Sequence, residues 1–390
     1  MGGVTIHCRT GLATEYMGPE FMEIVGECAK KARQMGMKLY LYDEDRWPSG
    51  FAGGKVTKDP ALRAQYINFL PEKLAGEWDG PLLARYEIDL RDGYLHSYRR
   101  LSDGETGNNV WHAHRKTRAT GPRFNGQSYV DTLNPQAIHR FIELTHEAYF
   151  EAVGEEFGDT IPSIFSDEPQ IMNKTVLEHP EDVHEVHMPF TADFPETYYR
   201  QYDADVLDTL PEVVWELPDG KVSEARYRYH CHALERFAQA FPDQIGSWCE
   251  MHGVAMTGHL MEEQNLRVLT VESGEPMRLY RGFTIPGIDM LCDAREYQNS
   301  ILCWSHPGYP YYRFSKVFHL QWQQSAGHTR QGIVDIGVIP DFAGVGSYSL
   351  LCFLCGRHLD RSAGGLSSIR GLGPVKGWAV LIYLVWTMSG

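Results

Sequence analysis

The sequence predicts an α/β fold built as an incomplete (β/α)8, TIM-like barrel, and three observations carry that expectation. Short apolar strand candidates alternate with amphipathic helical stretches, the order that gives a parallel sheet covered by helices. Carboxylates recur just past strand ends: Asp43, Glu44 and Asp45, then Asp167 and Glu168, then Glu262 and Glu263 beyond His259. Barrels of this kind carry their active sites at that end. Finally, no Gly-x-Gly-x-x-Gly follows the first strand, so a dinucleotide-binding sheet is not supported.

The elements follow in order. Val4–Cys8 reads as the first strand. Pro19–Met35 reads as a helix, because Phe21, Ile24, Val25, Cys28, Ala32 and Met35 fall near 3.6 spacing. Lys38–Tyr42 is the next strand. Residues 50–134 break the rhythm with many Gly, Asp and Asn and read as an insertion holding a strand at Leu82–Leu90. Pro135–Val153 reads as one helix with Asn134 as its N-cap. Ile161–Ser166 is a strand, and 170–222 a second insertion. Glu224–His252 reads as a long helix, Gly253–His259 as a strand, Val268–Tyr280 as a helix and Pro286–Leu291 as a strand.

The organisation changes near residue 296. Of the 51 Asp and Glu, 46 precede residue 293, and the five that follow are Asp293, Glu296, Asp335, Asp341 and Asp360. Residues 1–296 therefore read as a barrel with two insertions. Residues 297–390 read as an atypical tail: an unusual apolar subdomain, or a segment foreign to the ancestral fold. The second is preferred, since ordinary soluble helices are rich in Glu.

Composition narrows the function. The 390 residues are 43% hydrophobic and 22% charged, which fits a globular core. A net charge of -15 argues against nucleic acid and anionic membranes as partners. The apolar run Trp378–Met388 is shorter than the ~20 residues that span a bilayer. Met1-Gly2-Gly3-Val4 opens straight into a strand without a secretory leader, so the default expectation is the cytoplasm. The eight cysteines are scattered, and Cys352 and Cys355 form a lone pair where a zinc site needs four ligands.

Two carboxyl groups hydrolyse a glycosidic bond, one protonating the leaving oxygen and one attacking or activating water. Glu168 is the first choice for the acid, at a buried strand end just before Pro169. Asp167 beside it would point the opposite way in an extended chain, so one of the pair faces the pocket and the other a structural partner. The same alternation puts Asp43 and Asp45 on one face and Glu44 on the other. That group, with Arg46, reads either as sugar-hydroxyl recognition, as a calcium-like hard-cation site, or as a salt-bridge cluster. Trp47 stacks on a sugar or packs under the Gly50–Gly54 turn. His7 and Arg9 end the first strand, and His259 with Glu262 and Glu263 a later one. Asp289, inside a strand, must face the pocket or an arginine, since a lone buried carboxylate is costly. His112 and His114, two residues apart, lack further metal ligands.

Four motifs together resemble a known family. Tyr-Asp-Glu-Asp-Arg-Trp-Pro-Ser-Gly-x-Ala-Gly-Gly (42–54), Phe-Ser-Asp-Glu-Pro (165–169), Thr-Gly-His-Leu-Met-Glu-Glu (257–263) and Pro-Gly-Ile-Asp-Met-Leu (286–291) resemble large bacterial glycoside hydrolases similar to the family 106 α-L-rhamnosidases. The segment 3–11 also fits the opening of that family's barrel, and the resemblance covers residues 3–292. It implies a TIM-like catalytic barrel with one strand upstream of Val4–Cys8. Glu168 then ends strand four, where barrel glycosidases commonly hold their acid. The resemblance stops after residue 296. It implies a Ser-Glu-Thr-Phe-Gly-like motif on strand seven with the second carboxylate, and no such motif occurs. Asp335 and Asp341 are poor stand-ins. The first strand and strands seven and eight are thus missing or atypical, and a truncated or frame-shifted product with unpaired sheet edges is the expectation.

The resulting reading is a glycoside hydrolase acting on an oligosaccharide or glycoside, α-L-rhamnosidase-like, whose fragment form is inactive if the second carboxylate is absent. Glu168 is the acid. His7, Arg9, Asp43, Asp45, Arg46, Trp47, Asp167, His259, Glu262, Glu263 and Asp289 contact the substrate. No cofactor is expected apart from calcium at the Asp43–Asp45 group. Two alternatives stand beside it: a non-catalytic carbohydrate-binding remnant, and a metal-dependent barrel hydrolase using His7, His259 and Asp289.

Overall fold

The computed structural model describes residues 2–8, 11–76, 80–171, 174–261, 266–287 and 380–385. Strand β1 (Gly3–Cys8) leads into helix α1 (Pro19–Gln34), which starts on a proline and buries Phe21, Val25, Ala29 and Ala32 along one face. Lys31 and Arg33 in its last turn complement the helix dipole. Strand β2 (Lys38–Tyr42) follows. The first insertion then supplies β3 (Gln65–Pro71), β4 (Leu82–Arg91), β5 (Tyr94–Arg100) and β6 (Val110–Thr117).

The stretch read as one helix at Pro135–Val153 is two, α2 (Pro135–Leu144) and α3 (His146–Val153). The Asn134 side chain accepts from the Gln136 amide at 3.0 Å, as an N-cap should. Thr145 leaves the helical region at φ -122°, and its hydroxyl donates to the Phe141 carbonyl at 2.7 Å. That local bond competes with the helical ladder and divides it. Strand β7 (Ser163–Asp167) comes next. The second insertion gives β8 (Val186–Phe190), α4 (Phe194–Tyr202) and α5 (Leu210–Val214).

The long helix expected at Glu224–His252 also divides, into α6 (Glu224–Ala240) and α7 (Pro242–Met251). Pro242 has no amide to continue the ladder and its ring crowds the preceding turn. After β9 (Ala255–His259), the stretch 268–280 breaks into α8 (Leu266–Glu272) and α9 (Pro276–Tyr280) around Gly274, whose φ is +84°. Of the strand expected at Pro286–Leu291, only the start falls within β10 (Ile285–Pro286), and residues 288–291 lie outside the described residues. The tail contributes β11 (Val380–Val385).

These strands form two sheets. The first has the order β10-β9-β7-β2-β1-β11. Neighbours from β1 to β10 are parallel and β11 runs antiparallel along β1. The parallel strands lie side by side in chain order, with helices between them. Among the described strands the order from β1 to β10 never reverses, so they form no switch-point crevice of the dinucleotide-binding type. The edge of β1, expected to be unpaired, is covered by β11 from Gly3↔Val385 to Cys8↔Val380.

Alternation gives this sheet two unlike faces. Ile6, Cys8, Leu39, Leu41, Ile164 and Met256 pack into the core shared with α1, α2, α6 and α7. The intervening residues His7, Tyr42, Phe165 and His259 form a row of rings across β1, β2, β7 and β9. Their centroids lie 3.8, 6.1 and 5.7 Å apart in turn.

The second sheet has the order β5-β4-β6-β3-β8. It unites the two segments read as separate insertions, because β8 pairs with β3 from Gln65↔Phe190 to Phe69↔Val186. Its own core centres on Phe69, Trp111 and Trp215, the two indoles packing edge to face at 4.9 Å. Helix α6 belongs to both cores: Tyr229 and Ala233 to this one, Leu234, Phe237 and Ala238 to the other.

Candidate active site

The described functional side chains gather where β2, β7 and β9 end. After Tyr42 the chain leaves the strand, so alternation no longer governs Asp43, Glu44 and Asp45, and the three carboxylates part company. Asp43 is fully buried. It accepts from the Ser49 hydroxyl at 2.5 Å and the Ser166 hydroxyl at 2.7 Å, one on each oxygen. Burial pushes its carboxyl up to about 7, against the pull of Ser166 and Ser49.

Glu44 is also fully buried and organises the turn that follows. One oxygen accepts from the amides of Gly50, Phe51 and Ala52 at 3.1, 2.9 and 2.8 Å. The other accepts from Asp45 and Gly53 at 2.8 and 2.5 Å. Burial pushes Glu44 up to about 8 while the amides of Gly53, Asp45 and Ala52 draw it down. Asp45 turns elsewhere, accepting from the Asn125 amide at 2.9 Å and lying 3.5 Å from the Arg46 guanidinium. The expectation that Asp43 and Asp45 share a face is therefore overturned. Nor do residues 43–45 fit a calcium ion. Asp43 and Glu44 are engaged by hydroxyls and amides and have no oxygen to spare for a cation that needs about six to eight, while Asp45 turns to Asn125 and Arg46.

Alternation also fails at β7, for a different reason. Glu168 has φ +50°, the left-handed region that non-glycine residues seldom occupy. That turn brings its carboxylate back beside Asp167 instead of opposite to it. His259, paired in register with Asp167, lies between the two. Its Nε2 is 3.2 Å from Asp167 Oδ1 and its Nδ1 3.6 Å from Glu168 Oε1. Gly258 makes this approach feasible, since a Cβ there would sit 1.9 Å from the Ser166 carbonyl oxygen. Burial raises Asp167, but His259, Tyr42 and His7 outweigh it and hold the carboxyl below its ordinary value. The Tyr42 hydroxyl is 2.7 Å from both Asp167 Oδ2 and the Arg46 carbonyl, sharing one proton between them.

Trp47 completes the group. Its indole N–H donates to Glu168 Oε2, and one ring face carries the Arg123 guanidinium 4.2 Å from its centre. His7 stacks on Tyr42 at the far side of the ring row. Two strands, carrying the rings of Tyr42 and Phe165, lie between it and His259, so the two histidines do not share an ion. Arg9, Glu262, Glu263 and Asp289 lie outside the described residues, as do Cys352, Cys355, Asp335 and Asp341. His112 and His114 belong to β6, where they meet Glu72 at 3.2 Å and the Gly80 carbonyl at 2.8 Å. Among the described residues no group of three or more His, Cys, Asp or Glu is placed to hold a metal ion. No described helix is long and apolar enough to cross a membrane.

Several site residues escaped the sequence reading. Tyr42 and Phe165 were legible as the alternate members of apolar runs, and Ser49 and Ser166 lay inside the quoted motifs. Arg123 and Asn125 come from the first insertion, with no local signal of their destination.

No protein-family model matches this chain, and no curated protein matches its sequence. Nine chains of solved structure match it. Among them is a rhamnosidase from Novosphingobium sp. PP1Y, with a TM-score of 0.49 and 10% identity. The match covers 76% of this chain and 46% of that one, so the chain spans less than half of that enzyme's length.

Proposed function

We propose that this chain is the barrel portion of a glycoside hydrolase, with Glu168 as the general acid. The carrying observation is the Trp47–Glu168–His259–Asp167 group at adjoining ends of parallel strands. An indole N–H can only donate, so Oε2 of Glu168 is an acceptor and the proton of the acid form belongs on Oε1. There it faces His259 Nδ1. The His259 ring lies between the two carboxylates, with Nε2 toward Asp167 Oδ1 and Nδ1 3.4 Å from the Leu260 carbonyl and 3.6 Å from Glu168 Oε1. Asp167 and the Leu260 carbonyl hold the imidazole in place, the Trp47 indole fixes Oε2 of Glu168, and Glu168 gives its proton from Oε1 to the leaving glycosidic oxygen.

The resemblance of the four motifs makes an α-L-rhamnoside the first substrate to try, and a closed (β/α)8 barrel the architecture of the parent protein. Five sequential parallel strands support that architecture. Release of nitrophenol from aryl glycosides, α-L-rhamnoside first, tests the function. Glu168→Gln should abolish turnover of substrates with poor leaving groups and spare much of that with activated ones. Equal activity of the two proteins toward substrates with poor leaving groups would remove Glu168 from the acid role. Sugar binding without any turnover in the unmodified chain would favour a carbohydrate-binding remnant.

A further inference from the structure

A cavity of about 1490 Å³ lies between β8, α5, α6 and α9 and shares no residue with the Trp47–Glu168–His259–Asp167 group. Leu177, Met188, Val213, Val214 and Leu217 are among its apolar lining, and two more of its lining residues, Val222 and Tyr227, are 88% and 66% exposed. Exposed apolar surface gathered in one concavity marks a binding site. Charge in the cavity runs against that of the chain. Lys174, Lys221, Arg226 and Arg278 line it with only Glu216 and Glu275, although the whole chain carries -15. Both carboxylates are taken, Glu216 by Arg226 and Glu275 by Arg278 at 3.5 Å. Half-buried Lys174 is left with one hydrogen bond, from Nζ to the Thr270 carbonyl at 2.5 Å. Burial pulls its ammonium down to about 8, and Glu272 offsets this from beyond ion-pair distance. The His230 ring lines the same cavity and makes no hydrogen bond among the described residues. Burial, with Lys174 and Arg226 nearby, pulls it down to about 3, so it is neutral at pH 7.

We propose that this cavity binds an amphipathic carboxylate, its apolar chain along the valine and leucine wall and its head group at Lys174 and His230. An ammonium has three N–H donors and Lys174 has spent one, while a neutral imidazole adds a ring N–H. A carboxylate answers both and supplies the counter-charge that Lys174 lacks at close range. A neutral glycan would leave the apolar wall without a partner, and a cationic amphiphile would meet four like charges. The volume exceeds the ~300–1,000 Å³ of drug-sized pockets, which suits an extended chain. The wall is prebuilt, because Thr175, next to Lys174, exchanges two hydrogen bonds with the His187 backbone of β8, at 3.0 and 2.8 Å. The proposal does not depend on the glycosidase reading.

Calorimetric titration of the full chain with sodium decanoate, decanol and decylammonium chloride, each below its micelle concentration, tests it. Decanoate should bind saturably and about tenfold more tightly than either of the others. Lys174→Met, which keeps the stem and removes the charge, should weaken decanoate about tenfold and leave decanol unchanged, at an unchanged melting temperature. His230→Leu should weaken decanoate by a smaller factor. Equal affinity for decanoate and decanol in the unmodified chain overturns the proposal, and so does equal affinity for decanoate with and without the Lys174 charge. Should Lys174→Met fail to fold, the comparison of the three amphiphiles decides alone. Absence of decanoate binding overturns the proposal outright. A chain that sediments as a dimer, made monomeric by Val222→Asp, would mark the cavity as an interface between copies and also overturn it.

Discussion

The ends of β2 and β7 both present adjacent carboxylates, yet they use them in opposite ways. At β2, Asp43 and Glu44 are sealed from solvent and answered by two hydroxyls and five amides. They are scaffolding. At β7, Asp167 and Glu168 share one histidine, and Glu168 holds a left-handed backbone to do so. Ionisable groups face one another there, the pattern of functional sites. A cluster of acidic residues at a strand end is thus not a site by composition; what answers its oxygens decides.

The sharpest test exchanges the two glutamates. Glu168→Gln should cut turnover of glycosides with poor leaving groups about 10²–10⁴-fold, the usual contribution of a general acid, with little change in melting temperature. Glu44→Gln should do the reverse. Its side-chain amide would turn donors toward backbone donors, leaving several amides unanswered at a cost of more than about 3 kcal/mol. Turnover per folded molecule should stay within tenfold. If the two variants behave alike in either measurement, the distinction between site and scaffold fails.

The second test uses pH. Folding raises the Asp43 carboxyl to about 7 by burial, so the folded chain binds more protons than the unfolded one between about pH 4 and 7. Stability from this group is therefore greatest below its ordinary pKa and declines as pH rises through that window. Asp167 has the opposite sign: it is held low when folded, so its contribution is present above its ordinary pKa and lost on acidification. Asp43→Asn should flatten the decline between pH 4 and 7 in melting temperature. His259→Gln should bring acid unfolding to a higher pH, because Asp167 loses its largest stabilising neighbour. A decline as steep in Asp43→Asn as in the unmodified chain would mean Asp43 stays ionised in the fold.

Much of this was legible in the sequence, and the failures share a cause. Periodicity located β1, β2, α1, β7 and β9 because their apolar faces are continuous and local. It missed the breaks at Thr145, Pro242 and Gly274, where a hydroxyl, a missing amide and a positive φ interrupt an unbroken pattern of apolar spacing. Strand alternation assigned faces to Asp43, Asp45, Asp167 and Glu168, but it holds only while the backbone stays extended. All four lie at or beyond the last paired residues, where turn geometry takes over. The pairing of β3 with β8 joins segments more than a hundred residues apart, and no local signal encodes that. Arg123 and Asn125 reach the Trp47 loop by the same kind of long return.

The smallest effect concerns the link between the two strand ends. The Tyr42 hydroxyl lies at hydrogen-bond distance from both Asp167 Oδ2 and the Arg46 carbonyl, so one proton ties the β2 loop to the β7 pair. Tyr42→Phe keeps the ring between His7 and Phe165 and removes only that proton. A hydrogen bond to a charged acceptor is worth about 1.5–3 kcal/mol, partly regained here because Asp167 keeps His259. The expected cost is about 1 kcal/mol in denaturant unfolding, with a turnover loss of less than tenfold. A loss as large as that of Glu168→Gln would place Tyr42 against the reacting atoms and make the tyrosine, not the histidine, the proton partner at this strand end. No change in either measurement would mean that the Ser49 and Ser166 hydrogen bonds and the ring row hold the two ends together without the tyrosine proton.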